Sequence, residues 1–121
     1  MREITRGSQN FTKVVQGDGP GQVGTTNQYY ISPVNKAEDV LDGEFGYIKF
    51  QSGPVKEAGI NGCHQEDLLI IVLDRLESFQ SGDFKCRENA LAITKIEEAL
   101  HWLNHRTAAR VSRGVEGTLT V

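Results

Sequence analysis

The sequence predicts an α+β fold: a small antiparallel N-terminal sheet packed on a C-terminal two-helix antiparallel hairpin, the whole being oligomeric. Three observations predict it. Ten of the thirteen glycines and all three prolines fall in residues 1–62. Short segments of that half alternate apolar and polar residues, the period of a strand. From residue 63 onward the apolar residues instead recur at i, i+3 and i+4, the period of a helix, and the pattern is broken once, at Ser81–Gly82–Asp83.

Phe11–Gln16 (FTKVVQ) sets Phe11, Lys13 and Val15 opposite Thr12, Val14 and Gln16. Gln28–Val34 (QYYISPV) is aromatic and β-branched, and Pro33 demotes its end to an edge. Gly46–Gln51 (GYIKFQ) alternates again. The glycine-rich stretch Gly17–Asn27 reads as a hairpin connection. It lacks the GxxxxGK[ST] phosphate loop, and no helical periodicity follows it to support a dinucleotide fold.

The first helix is expected from about Cys63–His64, with Glu66 and Asp67 suiting its positive N-terminal end. Leu68, Leu69, Val72, Leu73, Leu76 and Phe79 form one stripe, while Ile70 and Ile71 lie off it. A helix apolar on more than one side contacts two different neighbours. The second helix is expected from about Cys86 to Arg110, with Ala90, Ile93, Ile96 or Glu97, Leu100 and Leu103 facing the core. The short connection makes the pair antiparallel. Residues 1–121 are read as one domain: a β-rich half (1–62), the hairpin (63–110) and a tail (111–121) whose end, Gly117–Val121, suits a closing strand.

Composition excludes several function classes. The longest apolar run, Leu68–Leu73, is six residues, against about 20 for a membrane span. The first residues show no apolar signal region. A formal charge of −3 argues against a DNA or RNA polymer as partner. Two cysteines are too few for a disulfide scaffold and imply reduced thiols. A small domain buries a modest share of its surface, which favours self-association.

The candidate chemistry is sparse. Cys63–His64 are sequence neighbours at a helix start and do not face each other as a nucleophile–base pair must. His101 and His105 share a helix face, but HWLNH lacks the glutamate of HExxH and two histidines leave a zinc site incomplete. No metal, cofactor or catalytic residue is therefore assigned. The informative cluster is cationic: Arg106, Arg110 and Arg113 recur at i, i+4 and i+7, and Lys85 and Arg87 stand at the other end of the helix. Focused positive charge in an acidic chain suits one small anionic ligand. The competing reading is a helix end whose cations complement the macrodipole. Phe79 and Asn89 flank the bend, where a ring can stack on a base and an amide can read its edge. The competing reading there is a last core residue and a surface polar group.

The stretch from about Lys49 to Gly117 resembles the C-terminal region of bacteriophage Thoeris anti-defence proteins of the first described class. FQSGPVKEAGINGC, LDRLESFQSGDFKCRENALAITKIEEALHWL and RGVEGT carry the resemblance. Its helical hairpin is shared with the phage anti-CBASS sponges of cyclic oligonucleotides. The resemblance implies a protein that binds and sequesters, without cleaving, glycocyclic ADP-ribose made by TIR-domain enzymes in the cytoplasm of the infected bacterium. It implies that Phe79 stacks on the adenine, that Asn89 contacts the ligand, and that Arg106 pairs with the diphosphate, with Arg110, Arg113 and Arg87 as weaker candidates. These residues are expected to form a ring-and-guanidine clamp at the bend between the helices. It further implies homodimers and a hexamer (a trimer of dimers), with separate sites for cyclic di- or trinucleotides associated with the hexamer. Relatives carry a Thr near the start of the first helix where this chain has His64, which touches only the local cap. Two alternatives stand beside this reading: an enzyme degrading a cyclic nucleotide, which would release a linear product, and a structural hairpin module, which would bind no small molecule.

Overall fold

A computed structural model of the chain describes residues 2–6, 10–17, 27–35 and 43–120. The chain divides into two compact units, Met1–Cys63 and His64–Val121.

The first unit is a four-stranded antiparallel meander in the order β1-β2-β3-β4, with β1 Arg2–Ile4, β2 Thr12–Gln16, β3 Gln28–Pro33 and β4 Gly46–Lys49. The three expected strands are present, and β1 adds a short edge partner. Pro33 does not make β3 an edge strand: β3 lies between β2 and β4, and Pro33 is its last residue. The ladder resumes after it through Val34 N–H to the Phe11 carbonyl at 3.0 Å. Val15, Tyr30 and Tyr47 stand in one cross-strand row. The Tyr30 and Tyr47 rings approach to 4.9 Å between centroids. Lys13, Val15 and Ser32 on this same face are buried. The glycine-rich connection expected at Gly17–Asn27 lies outside the described residues between positions 18 and 26.

The segment after β4 is a closed knot rather than an open loop. Gln51 Nε2 donates to the Gly53 and Gly59 carbonyls at 3.2 and 2.7 Å, and Gln51 Oε1 accepts from the Asn61 N–H at 3.0 Å. Asn61 exchanges two bonds of 2.8 Å with the Ser52 backbone. Inside the knot, one helical turn, α1 (Val55–Ala58), starts after Pro54 and ends at Gly59. Gly62 lies so close to β4 that a Cβ there would stand 2.4 Å from the Phe50 carbonyl carbon. Only glycine fits.

The second unit is the helical hairpin: α2, Gln65–Gln80, and α3, Arg87–Ser112. The Asp67 carboxylate accepts from the His64 N–H at 2.9 Å, so the start of α2 is capped by its own third residue. Leu68, Leu69, Leu73, Leu76 and Phe79 are half-buried, but no residue of either helix is fully buried. Val72, placed on the inner stripe by periodicity, is 46% exposed, alongside Ile70 at 53% and Ile71 at 63%. On α3 the inner face runs through Ile93, Ile96, Leu100 and Leu103, while Ala90 is exposed.

The end of α3 explains the RGVEGT run. Gly114 adopts φ +73°, Gly114 N–H bonds the Val111 carbonyl at 3.0 Å and Val115 N–H bonds the Arg110 carbonyl at 3.1 Å. That is a Schellman cap, which needs a residue free to enter the left-handed region. Gly117, at φ +78°, turns the chain a second time. Residues 117–120 form turns and not the closing strand expected there.

Candidate functional site

The bend of the hairpin is tied by two hydrogen bonds. Gln80, the last residue of α2, accepts from the Cys86 N–H at 2.8 Å through Oε1. Cys86 caps α3, its Sγ accepting from the Asn89 N–H at 3.4 Å. Phe79 and Asn89 are thus fixed at the same end of the hairpin, one residue before and three residues after the ends of this strap. Both side chains are half-buried. The Asn89 side-chain amide makes no hydrogen bond among the described residues; the residue's bond to Cys86 runs through its backbone N–H. The Phe79 ring carries the Arg75 guanidinium over one face, 5.0 Å from the centroid. Arg87 is exposed beside this end.

Arg106 is not at the bend. Seventeen residues separate it from Asn89 on α3, about 25 Å at the usual rise of about 1.5 Å per residue. A small-molecule pocket of about 300–1,000 Å³ has an edge of only roughly 7–10 Å. One copy of the hairpin therefore cannot bring Phe79, Asn89 and Arg106 to one ligand, and the clamp expected at the bend does not form within a single chain. The reason lies in the helix lengths. With 26 residues against 16, α3 outruns α2 by about ten residues, or about 15 Å. Arg106 stands on that overhang, exposed and with no hydrogen bond or ion pair among the described residues.

The three arginines of the predicted stripe part company. Arg110 is 11% exposed and turned into the chain's own tail. Its Nε meets the Glu116 carboxylate at 3.3 Å, Nη1 donates to the Thr120 carbonyl at 2.7 Å, and Nη2 donates to the Val115 and Thr118 carbonyls at 2.9 and 3.0 Å. Four of its five N–H donors are engaged, so Arg110 acts as a tail latch and offers little to a ligand. Arg113 follows α3 as its C-terminal cap residue.

Of the remaining polar groups, Trp102 is 66% exposed and edges against His101 at 5.3 Å and His105 at 5.9 Å. Among the described residues no three His, Cys, Asp or Glu side chains gather as a metal set would, and no helix is long and apolar enough to cross a membrane.

The family model of the Acb2/Tad1 hairpin domain matches residues 42–108, more than half of the chain. The chain belongs to the Acb2/Tad1 hairpin-domain family. The match spans α1, α2 and most of α3, so Phe79, Asn89 and Arg106 all lie within the Acb2/Tad1 hairpin region. A relative, Thoeris anti-defense 1 of Bacillus phage SBSphiJ7, is 59% identical over 76 residues, covering 63% of this chain and 54% of that protein. The chain thus spans about half the length of the curated relative it matches.

Two features of this Acb2/Tad1 hairpin escaped the reading of the sequence. Arg75 sits four residues before Phe79, the spacing at which helix neighbours meet, and that spacing was the available signal. The Gln80–Cys86 strap had no signal beyond the shortness of the connection.

Proposed function

We propose that this chain is a phage anti-defence sponge that binds and sequesters, without cleaving, a cyclic ADP-ribose isomer signal, glycocyclic ADP-ribose, made by TIR-domain enzymes of the infected host. Membership of the Acb2/Tad1 hairpin-domain family and the likeness to a Thoeris anti-defense protein support the reading. The structural observation that carries it is the set of unsatisfied recognition groups: an Asn89 amide without a side-chain bond at the same end of the hairpin as Phe79, and an exposed Arg106 guanidinium without a partner, both among the described residues. In this reading Phe79 stacks on adenine, Asn89 reads its edge, and Arg106 forms charge-assisted bonds to the diphosphate. Arg87 at the bend and Arg113 at the far end contribute secondary positive charge. The site needs no metal or cofactor, since enclosure alone removes the signal.

The 25 Å separation, roughly, has a direct consequence. The ligand lies between two copies of the chain, with Phe79 and Asn89 from one and Arg106 from the other. A twofold arrangement makes this reciprocal and yields two sites per dimer. Ile70, Ile71 and Trp102, all more than half exposed, supply apolar surface for such contact. Assembly of dimers into a hexamer, with separate sites for cyclic di- or trinucleotides, belongs to the same proposal. Sequestration is mass action: the sponge must outbind the receptor, and nanomolar affinity corresponds to about −12 kcal/mol.

Complementation tests the shared site. Phe79→Ala and Arg106→Ala proteins, each weak alone, are unfolded, mixed and refolded. Half of the dimers are then mixed, and each mixed dimer holds one site with both groups intact, so about a quarter of all sites recover by random pairing. Titration with glycocyclic ADP-ribose reads the recovered fraction. No recovery, with each variant folded and dimeric, contradicts a site built from two copies.

A further inference from the structure

We propose that Arg75 is a positioning residue of the ligand site, bracing one face of the Phe79 ring so that the opposite face is held ready for the purine. The inference rests on the reading above in which Phe79 stacks on the base. Arg75 stands one turn before Phe79 on α2, and its Cζ lies 5.0 Å from the ring centroid. That is inside the range of about 6 Å at which a guanidinium is attracted to the face of an aromatic ring. Asp74 and Glu77 are close in sequence, yet Arg75 makes no ion pair with either. Among the described residues the ring is the partner of this guanidinium.

Geometry gives the contact its role. Phe79 is the next-to-last residue of α2, where packing from the helix's own following turn is missing. A half-buried ring in that place keeps rotamer freedom that a stacked base would have to remove. A guanidinium over one face restricts it beforehand, and it covers that face alone. The product is a three-layer stack of cation, ring and purine. An aliphatic chain at position 75 lacks the cation that is drawn to the ring face. Arg75 is itself exposed, so replacing it leaves the hairpin folded.

The test is a double-mutant cycle on the full chain, with glycocyclic ADP-ribose as the probe and calorimetry as the readout. Arg75→Met, which keeps the apolar stem, is expected to weaken binding about 2- to 10-fold, the range that immobilising one side chain is worth. Phe79→Leu is expected to weaken it about 10-fold or more. In the Phe79→Leu background, Arg75→Met is expected to add less than about 2-fold, since the ring it braces is gone. Thermal unfolding without ligand is expected to be the same for wild type and Arg75→Met, which separates positioning from stability. If Phe79→Leu weakens binding but Arg75→Met does nothing, or acts equally in both backgrounds, Arg75 is not a brace and the stacking reading stands. If Phe79→Leu binds as tightly as wild type, the stacking reading itself fails, and Arg75 with it.

Discussion

Replacing Arg110 by Met is expected to open the C-terminal tail while leaving the hairpin folded. The substitution keeps most of the aliphatic stem and removes every donor. Two of the lost bonds matter most, those from Nη2 to the Val115 and Thr118 carbonyls at 2.9 and 3.0 Å, because both are partly buried. Bonds to a charged group contribute about 1.5–3 kcal/mol each; the Thr118 carbonyl is left without that partner, while the Val115 carbonyl keeps the Thr118 N–H and hydroxyl. The bond to Thr120 is exposed and Glu116 is 44% exposed, so water replaces these two at little cost. Allowing the tail to relax, the net loss is about 3 kcal/mol, or about 100-fold in the equilibrium between latched and open tail. Native-state hydrogen exchange reads this directly at the Val115 and Thr118 amides, which bond the Arg110 and Val115 carbonyls. Protection should fall about 100-fold at both, with amides in the middle of α3 little changed. Glu116→Gln should cost at most about 1 kcal/mol, because its carboxylate is half in water. Protection in Arg110→Met within about threefold of wild type would falsify the latch.

Two further outcomes follow from close geometry. Gly62→Ala places a Cβ within 2.6 Å of three backbone atoms of Lys49 and Phe50. Backbone cannot yield cheaply, so denaturant titration should show a loss of about 3 kcal/mol or more in the N-terminal unit; an unchanged midpoint contradicts the close approach. Phe79→Ala should weaken ligand binding by about 1–3 kcal/mol through lost stacking, and Arg106→Ala by at least as much, by leaving phosphate charge unpaired. Calorimetry showing both variants at wild-type affinity refutes the site.

The legible parts of the fold were local ones. Alternation in Thr12–Gln16 and Gly46–Lys49, and the three-to-four spacing from Leu68 to Phe79, are properties of a few consecutive residues. The breaker Ser81–Gly82–Asp83 separates the helices for the same reason. What escaped depends on partners distant in sequence. The Gln51–Asn61 knot joins side chains ten residues apart, and a polar residue in a glycine-rich stretch reads as a loop until its partner is known. Arg110 shows the same limit at the site. Its spacing from Arg106 suggested a shared cationic face, but the carbonyls of residues 115–120 claimed the guanidinium. The Thr118 and Thr120 carbonyls carry no signature in side-chain sequence. The clamp at the bend failed for another reason. Phe79 and Asn89 share one end of the hairpin, but helix rise alone carries Arg106 about 25 Å farther along α3. That length is why the proposed site draws on two copies of the chain.

The account is tested most directly by mixing the purified protein with glycocyclic ADP-ribose, measuring binding by calorimetry, then releasing the bound molecule by heat for mass spectrometry. It predicts saturable, tight binding near the nanomolar range, and release of the molecule at its original mass with the ring closed. Absence of binding heat, or release of a product heavier by one water, contradicts it.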